Sequence, residues 1–248
     1  MSKTLVYLDT ETTGNTPEDV LCQIAYGTAP FETGIMDSES IFCELYKPHK
    51  KIPPEASAVT HITNKMVADK IAFKDSPEYI TVKTLLENPD TIMVAHNAKF
   101  DVGMLVKEGI TPSNVICTLR LARHLDKENK IPRYNLQYLR YFLEMEIDAQ
   151  AHDAKGDILV LAELFPRLKQ KLIKDTDPET EDVLLEELLA ISARPSLMHM
   201  FTFGKYNGMS VQEVSSLDPG YLKWMLEQKK QNPANEEDWI YTLEKALQ

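Results

Sequence analysis

The feature of this sequence that most constrains its fold is a short N-terminal segment that is apolar on both faces. The segment Thr4 to Asp9 reads TLVYLD, and its apolar residues occupy alternating positions on both sides. Such a pattern predicts a strand in the middle of a sheet, covered on both faces. Two acids, Asp9 and Glu11, stand two apart at its end, so the period of a strand directs both carboxylates to one face.

The following residues predict alternating strands and helices, which indicates an α/β domain over residues 1–173. Compact apolar runs predict four more strands, at Leu21 to Thr28, Ile41 to Tyr46, Thr91 to Ala95 and Val115 to Leu119. Helical spacing predicts five helices, at Asn64 to Lys70, Tyr79 to Leu86, Phe100 to Lys107, Leu136 to Met145 and Asp153 to Lys171.

The last third of the chain changes in character twice. Seven acids and no Lys or Arg lie between Asp175 and Glu187, and we interpret residues 174–194 as an acidic helical linker with a solvated face. Residues 195–248 then form a small C-terminal module. Its turn-rich segment Phe201 to Gly208 predicts a hairpin, and two amphipathic helices follow, at Tyr221 to Lys229 and Glu236 to Leu247.

Aromatic and basic residues lie close together in that module, at Lys205, Tyr206, Lys223 and Trp224. Such residues on a surface could stack on bases and follow phosphates. The alternative is that the aromatic rings form the core of the module, which is the assignment we expect for Trp224.

The overall charge excludes a generally basic nucleic-acid coat, because the formal net charge is −11. Contact with nucleic acid would need a local basic patch or bound metal ions. Three cysteines without metal-ligand spacing indicate reduced thiols and a cytoplasmic protein. Because there is no signal-peptide pattern and no run of about 18 apolar residues, we expect no association with a membrane.

Two further acid-bearing groups follow predicted elements. Asp101 comes shortly after the buried strand TIMVA, with Asn97 as the predicted N-cap of the next helix. Asp157 borders the apolar stripe of the helix that Asp153 is predicted to cap. His152, on the loop before that helix, has the intrinsic pKa to take a proton from water. Taken singly, each group could equally be structural, as a capping or helix-start residue.

The coincidence of the three groups predicts a site. Each lies at a strand end or a helix start, where an α/β sheet gathers its functional residues. Four carboxylates that converge there would hold two hard divalent cations, Mg²⁺ or Mn²⁺. Two such ions can activate water and stabilise the leaving oxygen in a phosphodiester displacement.

These motifs resemble those of the DEDDh group of DnaQ-like 3′–5′ exonucleases. LDTETTG is similar to the first exonuclease motif, VAHNAKFD to the second and HDAKGD to the third, in the same order over roughly residues 3–165. The resemblance implies a ribonuclease H-like fold, with a five-stranded mixed sheet flanked by helices. It also implies catalytic roles for five residues. Asp9, Glu11 and Asp157 would bind the first metal, Asp9 and Asp101 the second, and His152 would be the general base.

Further stretches resemble the bacterial exodeoxyribonuclease X group within that family. They are ITNKMVADK, ICTLRLAR and the C-terminal RPSLMHMFTFGKYNGMSVQEVSSLDPGYLKWML. This resemblance implies a DNA-repair exonuclease that acts on 3′ ends of single-stranded or duplex DNA, with a repair or replication protein as a possible partner of the C-terminal module. The expected substrate contacts are Thr10, Thr12, Thr13, His61 and Asn97.

Two other interpretations remain open at this point. The same chemistry could serve an RNA 3′–5′ exonuclease or a polymerase proofreading subunit, since recognition of the 2′-OH depends on pocket geometry. The chain could also be a non-catalytic interaction module, although all five catalytic candidates are present.

Overall fold

The computed structural model describes residues 3–148 and 153–248 and contains one five-stranded mixed sheet. The strands are β1 (Thr4–Thr12), β2 (Leu21–Pro30), β3 (Phe42–Leu45), β4 (Thr91–Ala95) and β5 (Val115–Cys117), in the order β3-β2-β1-β4-β5. The pairs β1–β2 and β2–β3 are antiparallel, whereas β1–β4 and β4–β5 are parallel. The predicted fold class is confirmed, and the doubly apolar strand lies at the centre of the sheet.

Ten α-helices are present in these described ranges. They are α1 (Pro54–Thr60), α2 (Pro77–Glu87), α3 (Lys99–Lys107), α4 (Thr118–Leu125), α5 (Leu136–Phe142), α6 (Ala154–Thr176), α7 (Glu181–Ala193), α8 (Val211–Leu217), α9 (Pro219–Lys229) and α10 (Pro233–Ala246). None of the helices in the described part of the chain is long and apolar enough to cross a membrane.

The two faces of β1 pack into two different cores, which explains its apolar pattern. Leu5 and Tyr7 face a core shared with α4, α5, α6 and α7. Val6 and Leu8 face a core shared with α2 and α3. Since β1, β4 and β5 are parallel, their carboxyl ends lie at the same edge of the sheet. The acids after β1 and β4 are thereby directed to that edge.

The short helix predicted at Asn64 to Lys70 is wrong. The helix of this region, α1, begins instead at Pro54, whose fixed φ suits the first helical position. Asn64 serves the loop: its Oδ1 accepts the Ile52 N–H at 2.9 Å and its Nδ2 donates to the Ile52 carbonyl at 2.8 Å. Residues 64–69 form turns around this bridge.

Two other predicted elements differ from the structure. The strand predicted at Val115 to Leu119 ends at Cys117, and the polar helix α4 starts at the next residue. The predicted hairpin after Phe201 is reduced to a single bridge between Met200 and Ser210. Its loop is closed by the Gly208 N–H, which donates to the Phe201 carbonyl at 2.7 Å.

The C-terminal residues have a core of their own, in which Phe201 stacks on Trp239 with ring centroids 5.2 Å apart. Trp239 is only 8% exposed, whereas Trp224 is 57% exposed. The expectation that Trp224 belongs to the core is therefore wrong. Trp239, one of the two tryptophans, takes that place because α10 packs over both α8 and α9.

Candidate active site

Three of the predicted carboxylates converge at the carboxyl edge of the sheet. Asp9 and Glu11 lie near the end of β1, and Asp157 lies in the first turn of α6, which packs against β1. One oxygen from each of the three carboxylates lies within 4.8 Å of the other two. Glu11 and Asp157 are buried and Asp9 is half-buried, so three acids share a site that water reaches poorly.

The fourth predicted carboxylate, Asp101, is held beside the other three by β1 itself. It occupies the third position of α3 and is buried. The backbone N–H and the hydroxyl of Thr10 donate to its Oδ1 at 3.1 and 2.8 Å. Thr10 is thus the residue that fixes Asp101, between the two acids of β1.

The prediction that Asn97 caps α3 is wrong. The N-cap is Ala98, whose side chain makes no capping hydrogen bond. Asn97 instead adopts a left-handed conformation with φ 59°, which Asn tolerates better than most residues, and its side chain is exposed. Its carbonyl accepts the Phe100 N–H at 2.9 Å and so turns the chain into the helix.

The N-terminus of α6 positions Asp157, which is the fourth residue of this helix. The predicted N-cap Asp153 is confirmed, and its carboxylate accepts the Gly156 N–H. The Nε2 of Gln137, on α5, donates to Asp157 Oδ1 at 2.6 Å. Sequence reasoning missed Gln137, because it lies in no recognisable motif and only packing of α5 on α6 brings it to the site.

The electrostatics of the cluster favour a bound cation. Burial, followed by the charges of the neighbouring acids Asp101, Asp157, Glu11 and Asp153, raises the pKa of Asp9 well above its usual range. Burial and the same group of acids raise the pKa of Glu11 to about 8. Burial also raises the pKa of Asp101 to about 7, against the hydrogen bonds from Thr10. Without a cation, the carboxylates would take up protons near neutral pH.

The turn after β1 is a closed hydrogen-bonded loop. The Thr12 hydroxyl donates to the Gly14 carbonyl at 2.6 Å, and the hydroxyl of the fully buried Thr13 donates to Asp19 Oδ1 at 2.8 Å. Lys50 pairs with the same carboxylate at 2.7 Å. The side chain of Thr13 is therefore inside the turn, and its predicted contact with substrate stays a prediction.

Two of the three histidines of interest, His61 and His96, lie among the described residues. His61 ends α1 in a left-handed conformation, with φ 60° and an exposed side chain. His152 lies outside the described residues, so its predicted role stays a prediction. His96 is structural: its Nε2 donates to the Tyr134 carbonyl at 2.8 Å, and its Nδ1 lies 2.9 Å from the Thr118 hydroxyl. Burial lowers the pKa of His96 to about 4, which keeps the ring neutral.

Comparisons with known proteins agree with this geometry. The family model described as Exonuclease matches residues 6–165, and that described as Exodeoxyribonuclease X-like C-terminal matches residues 201–230. Exodeoxyribonuclease 10 of Escherichia coli strain K12 is 34% identical over 185 residues, which cover 73% of this chain and 74% of the relative.

Two solved structures have a similar fold. A structure described as exonuclease X in complex with 5′-overhanging duplex DNA has a TM-score of 0.59 and 25% identity, and the match covers 76% of this chain and 99% of the other. A complex of Escherichia coli exonuclease I with single-stranded DNA has a TM-score of 0.59 and 20% identity, covering 77% of this chain and 43% of the other.

Proposed function

The chain belongs to the exonuclease family and is a 3′–5′ exonuclease, and from this premise we propose that it hydrolyses DNA from the 3′ end to nucleoside 5′-monophosphates. The observation that carries the proposal is the convergence of Asp9, Glu11 and Asp157 within 4.8 Å. Burying several negative charges side by side is unfavourable in free energy, and bound divalent cations would offset this cost.

Two Mg²⁺ ions, or Mn²⁺ in their place, are the proposed cofactors. Divalent metal binding is typical of this family, and the donor set consists of carboxylate oxygens, which these ions prefer. Asp9, Glu11 and Asp157 would hold one ion, while Asp9 and Asp101 would hold the other. When bound, the ions lower the pKa of the attacking water and stabilise the charge on the leaving oxygen.

The chain's own residues would prepare the site for that reaction. Thr10 keeps Asp101 oriented through two hydrogen bonds, and Gln137 does the same for Asp157. His152 is the proposed general base, which removes the proton from the water that attacks the scissile phosphate. The next residue along the chain, Asp153, caps the helix that carries Asp157.

The terminal nucleotide would lie against the turn after β1. We assign its cradle to the main chain of Thr10, Thr12 and Thr13, whose side chains hold the turn and Asp101 in place. Asn97 and His61 are the proposed contacts to the rest of the strand. Both side chains are exposed, and both residues have left-handed backbones.

DNA is the preferred substrate because the relatives named above are a DNA exonuclease and DNA complexes. We propose in addition a role in DNA repair, and a repair or replication protein as a partner of the C-terminal module. The free thiols of Cys22, Cys43 and Cys117 fit a cytoplasmic location. We propose a division into an exonuclease domain (1–173), an acidic helical linker (174–194) and the module (195–248). The helix α7 of the linker packs into the core of the exonuclease domain, whereas the module has a separate core.

The test is hydrolysis of 5′-labelled single-stranded DNA and RNA of one sequence, with Mg²⁺ and with EDTA. We expect a ladder that shortens from the 3′ end of DNA, requires the metal and is absent in Asp157→Asn. His152→Gln should keep metal binding and lose most of its turnover. A ladder mainly on RNA would move the function to a ribonuclease, and cleavage unaffected by EDTA would refute the metal assignment.

A further inference from the structure

A second candidate site lies where the exonuclease domain meets the C-terminal module. It is a cleft of about 470 Å³, here called the junction cleft, between the end of α4, the end of α7 and α10. Its polar lining is strongly basic: Arg120, Arg123, His124, Lys127, Arg194, His199 and Lys245. Among the described residues, no acid lines it, although the chain has a formal net charge of −11.

Part of this positive charge is neutralised and part is not. Arg120 and Arg123 pair with Glu237 and Asp238 of α10, which lie outside the cleft lining. Within the described ranges, Lys127 has one long ion pair, to Asp175 at 3.6 Å. Arg194 and Lys245 extend from exposed positions, and Lys245 lies 4.8 Å from the centre of the Tyr241 ring.

Two independent observations indicate an unsatisfied site. Burial, followed by the positive charges of Arg194 and Lys127, lowers the pKa of His124, although Glu187 and Asp175 act in the opposite direction. In the part of the chain that the structure describes, the buried hydroxyl of Ser196 has no hydrogen-bond partner, and Ser196 lines the same cleft. A cation-rich cleft with an unused donor is suited to an anion.

The junction cleft is close to the active-site edge of the sheet. α4 starts directly after β5, beside His96 of the second motif, and a helix of its length spans about 12 Å. Arg120 in the first turn of α4 shares Glu237 with Lys99, which lies two residues before Asp101. A strand that leaves the active site along α4 would therefore meet the cleft within a few nucleotides.

We propose that the junction cleft binds the phosphodiester backbone of the DNA substrate, away from the scissile bond. This inference rests on the proposed function, because the strand that it binds is the substrate. The exposed Lys127, Arg194 and Lys245 contact phosphates, and Tyr241 offers a ring on which a base can stack. The C-terminal module thus contributes half of a nucleic-acid site.

The test compares oligo(dT) of about 4 and about 20 nucleotides, lengths that bracket common single-strand site sizes. Binding is measured by fluorescence anisotropy in EDTA, over a range of salt concentrations. The wild-type protein should bind the long strand more tightly. The triple variant Lys127→Gln, Arg194→Gln and Lys245→Gln should lose at least about tenfold in affinity for it. The slope of log affinity against log salt concentration should become shallower by about 2, because three phosphate contacts of about 0.7 each are lost.

The matched control removes three exposed lysines outside the cleft, as Lys70→Gln, Lys74→Gln and Lys230→Gln. This control variant has the same net charge as the cleft variant, and it should bind both strands as tightly as the wild-type protein does. Hydrolysis of the short strand with Mg²⁺ should be unchanged in both variants.

Three results would overturn the inference. The first is that the cleft variant keeps the wild-type affinity and salt dependence, and the second is that the control variant loses as much affinity as the cleft variant. The third is that polyglutamate displaces the long strand as strongly as DNA does, which would indicate an acidic polypeptide as the ligand. Failure of the proposed function is distinguishable from these, because the wild-type protein itself would then leave the short DNA uncleaved.

Discussion

At the scale of single residues, the site depends on side chains that hold the carboxylates as much as on the carboxylates themselves. Asp101 lies outside the group of Asp9, Glu11 and Asp157 whose oxygens are within 4.8 Å of one another, and Thr10 ties it to the strand that carries Asp9 and Glu11. Groups that orient metal ligands in this way commonly change metal affinity by about 10–100-fold.

The first prediction concerns Thr10→Val, which removes the hydroxyl donor and keeps the shape of the side chain. Because Asp101 loses its shorter hydrogen bond, the Mg²⁺ concentration needed for half-maximal turnover should rise about tenfold or more. Thr12→Val is the control, since that hydroxyl donates to Gly14 rather than to a carboxylate. Equal Mg²⁺ requirements in wild type and Thr10→Val would contradict the positioning role.

The second prediction follows from the pKa of Glu11, which burial raises from 4.5 to about 8. A carboxyl group whose pKa is raised by folding stabilises the folded state fully below pH 4.5, its ordinary pKa. This stabilisation is lost as the pH rises through the pKa of about 8 in the folded state. In EDTA, the melting temperature should therefore fall between about pH 5 and pH 8, and Mg²⁺ should restore it at pH 8. The Glu11→Gln variant should show a flatter profile, and an equally steep one would refute this assignment.

Site residues whose role depends on local sequence pattern were predictable, whereas those whose role depends on contacts with distant segments were not. The period of a strand and the start of a helix sufficed for Asp9, Glu11 and Asp157, which do converge. Gln137 and the pairing of Thr10 with Asp101 could not be foreseen, because they join segments that are far apart in the chain. The neutral state of His96 likewise depends on Tyr134 and on burial.

At the scale of elements, β1 and its turn form the rigid part of the site. The central strand was predictable because both of its faces are buried. α1 was not predicted because it is short and buries only Ala56 and Thr60. α4 was missed although Leu121, Ala122 and Leu125 form a buried face at helical spacing, because the strand predicted at Val115 to Leu119 covered its first residues. α1 is placed by its contacts with β1 and by the bridge from Asn64 to Ile52, whereas α4 is placed by packing on α6 and α7.

The third prediction compares two glycines beside catalytic acids. In Gly14→Ala, the new methyl would lie 2.5 Å from Asp19 Oδ2, at a φ of +153°. Because Thr13, Thr16 and Lys50 hold Asp19, it cannot move away easily, and we expect a loss of about 2 kcal/mol in the free energy of unfolding.

Gly103→Ala is the matched substitution in α3. Nothing lies within 4 Å of its added methyl, so helix propensity should stabilise the fold by about 0.5–1 kcal/mol. Urea denaturation of both variants gives the comparison. Equal stability of the two would show that the turn after β1 is not rigid.

At the scale of the whole molecule, the C-terminal module is fixed to the exonuclease domain by charge. Glu237 contacts Arg120 and Lys99, and Asp238 contacts Arg123 and accepts the Ser196 N–H at 2.7 Å. The side chains of Arg120 and Arg123 are only 14% and 19% exposed, whereas Glu237 and Asp238 are 34% and 24% exposed. Removal of one partner therefore leaves a poorly hydrated guanidinium, which costs more than the loss of an exposed pair.

The fourth prediction tests this docking with the double variant Glu237→Gln and Asp238→Asn. The pairs remain partly exposed, so we expect a loss of about 2 kcal/mol after screening, and faster proteolysis between α7 and α8. Glu244→Gln, whose pair with Lys230 is about half exposed, should change stability by less than about 0.5 kcal/mol. Unchanged proteolysis in the double variant would mean that apolar packing alone holds the module.

The most direct test of the central claim is anomalous diffraction from crystals soaked with Mn²⁺ and a nucleoside 5′-monophosphate. We expect an anomalous peak bonded to oxygens of Asp9, Glu11 and Asp157, and a second peak bonded to Asp9 and near Asp101. Both peaks should be absent or much weaker in Asp157→Asn crystals. A well-ordered cluster of these carboxylates without an anomalous peak, at saturating Mn²⁺, would contradict the account.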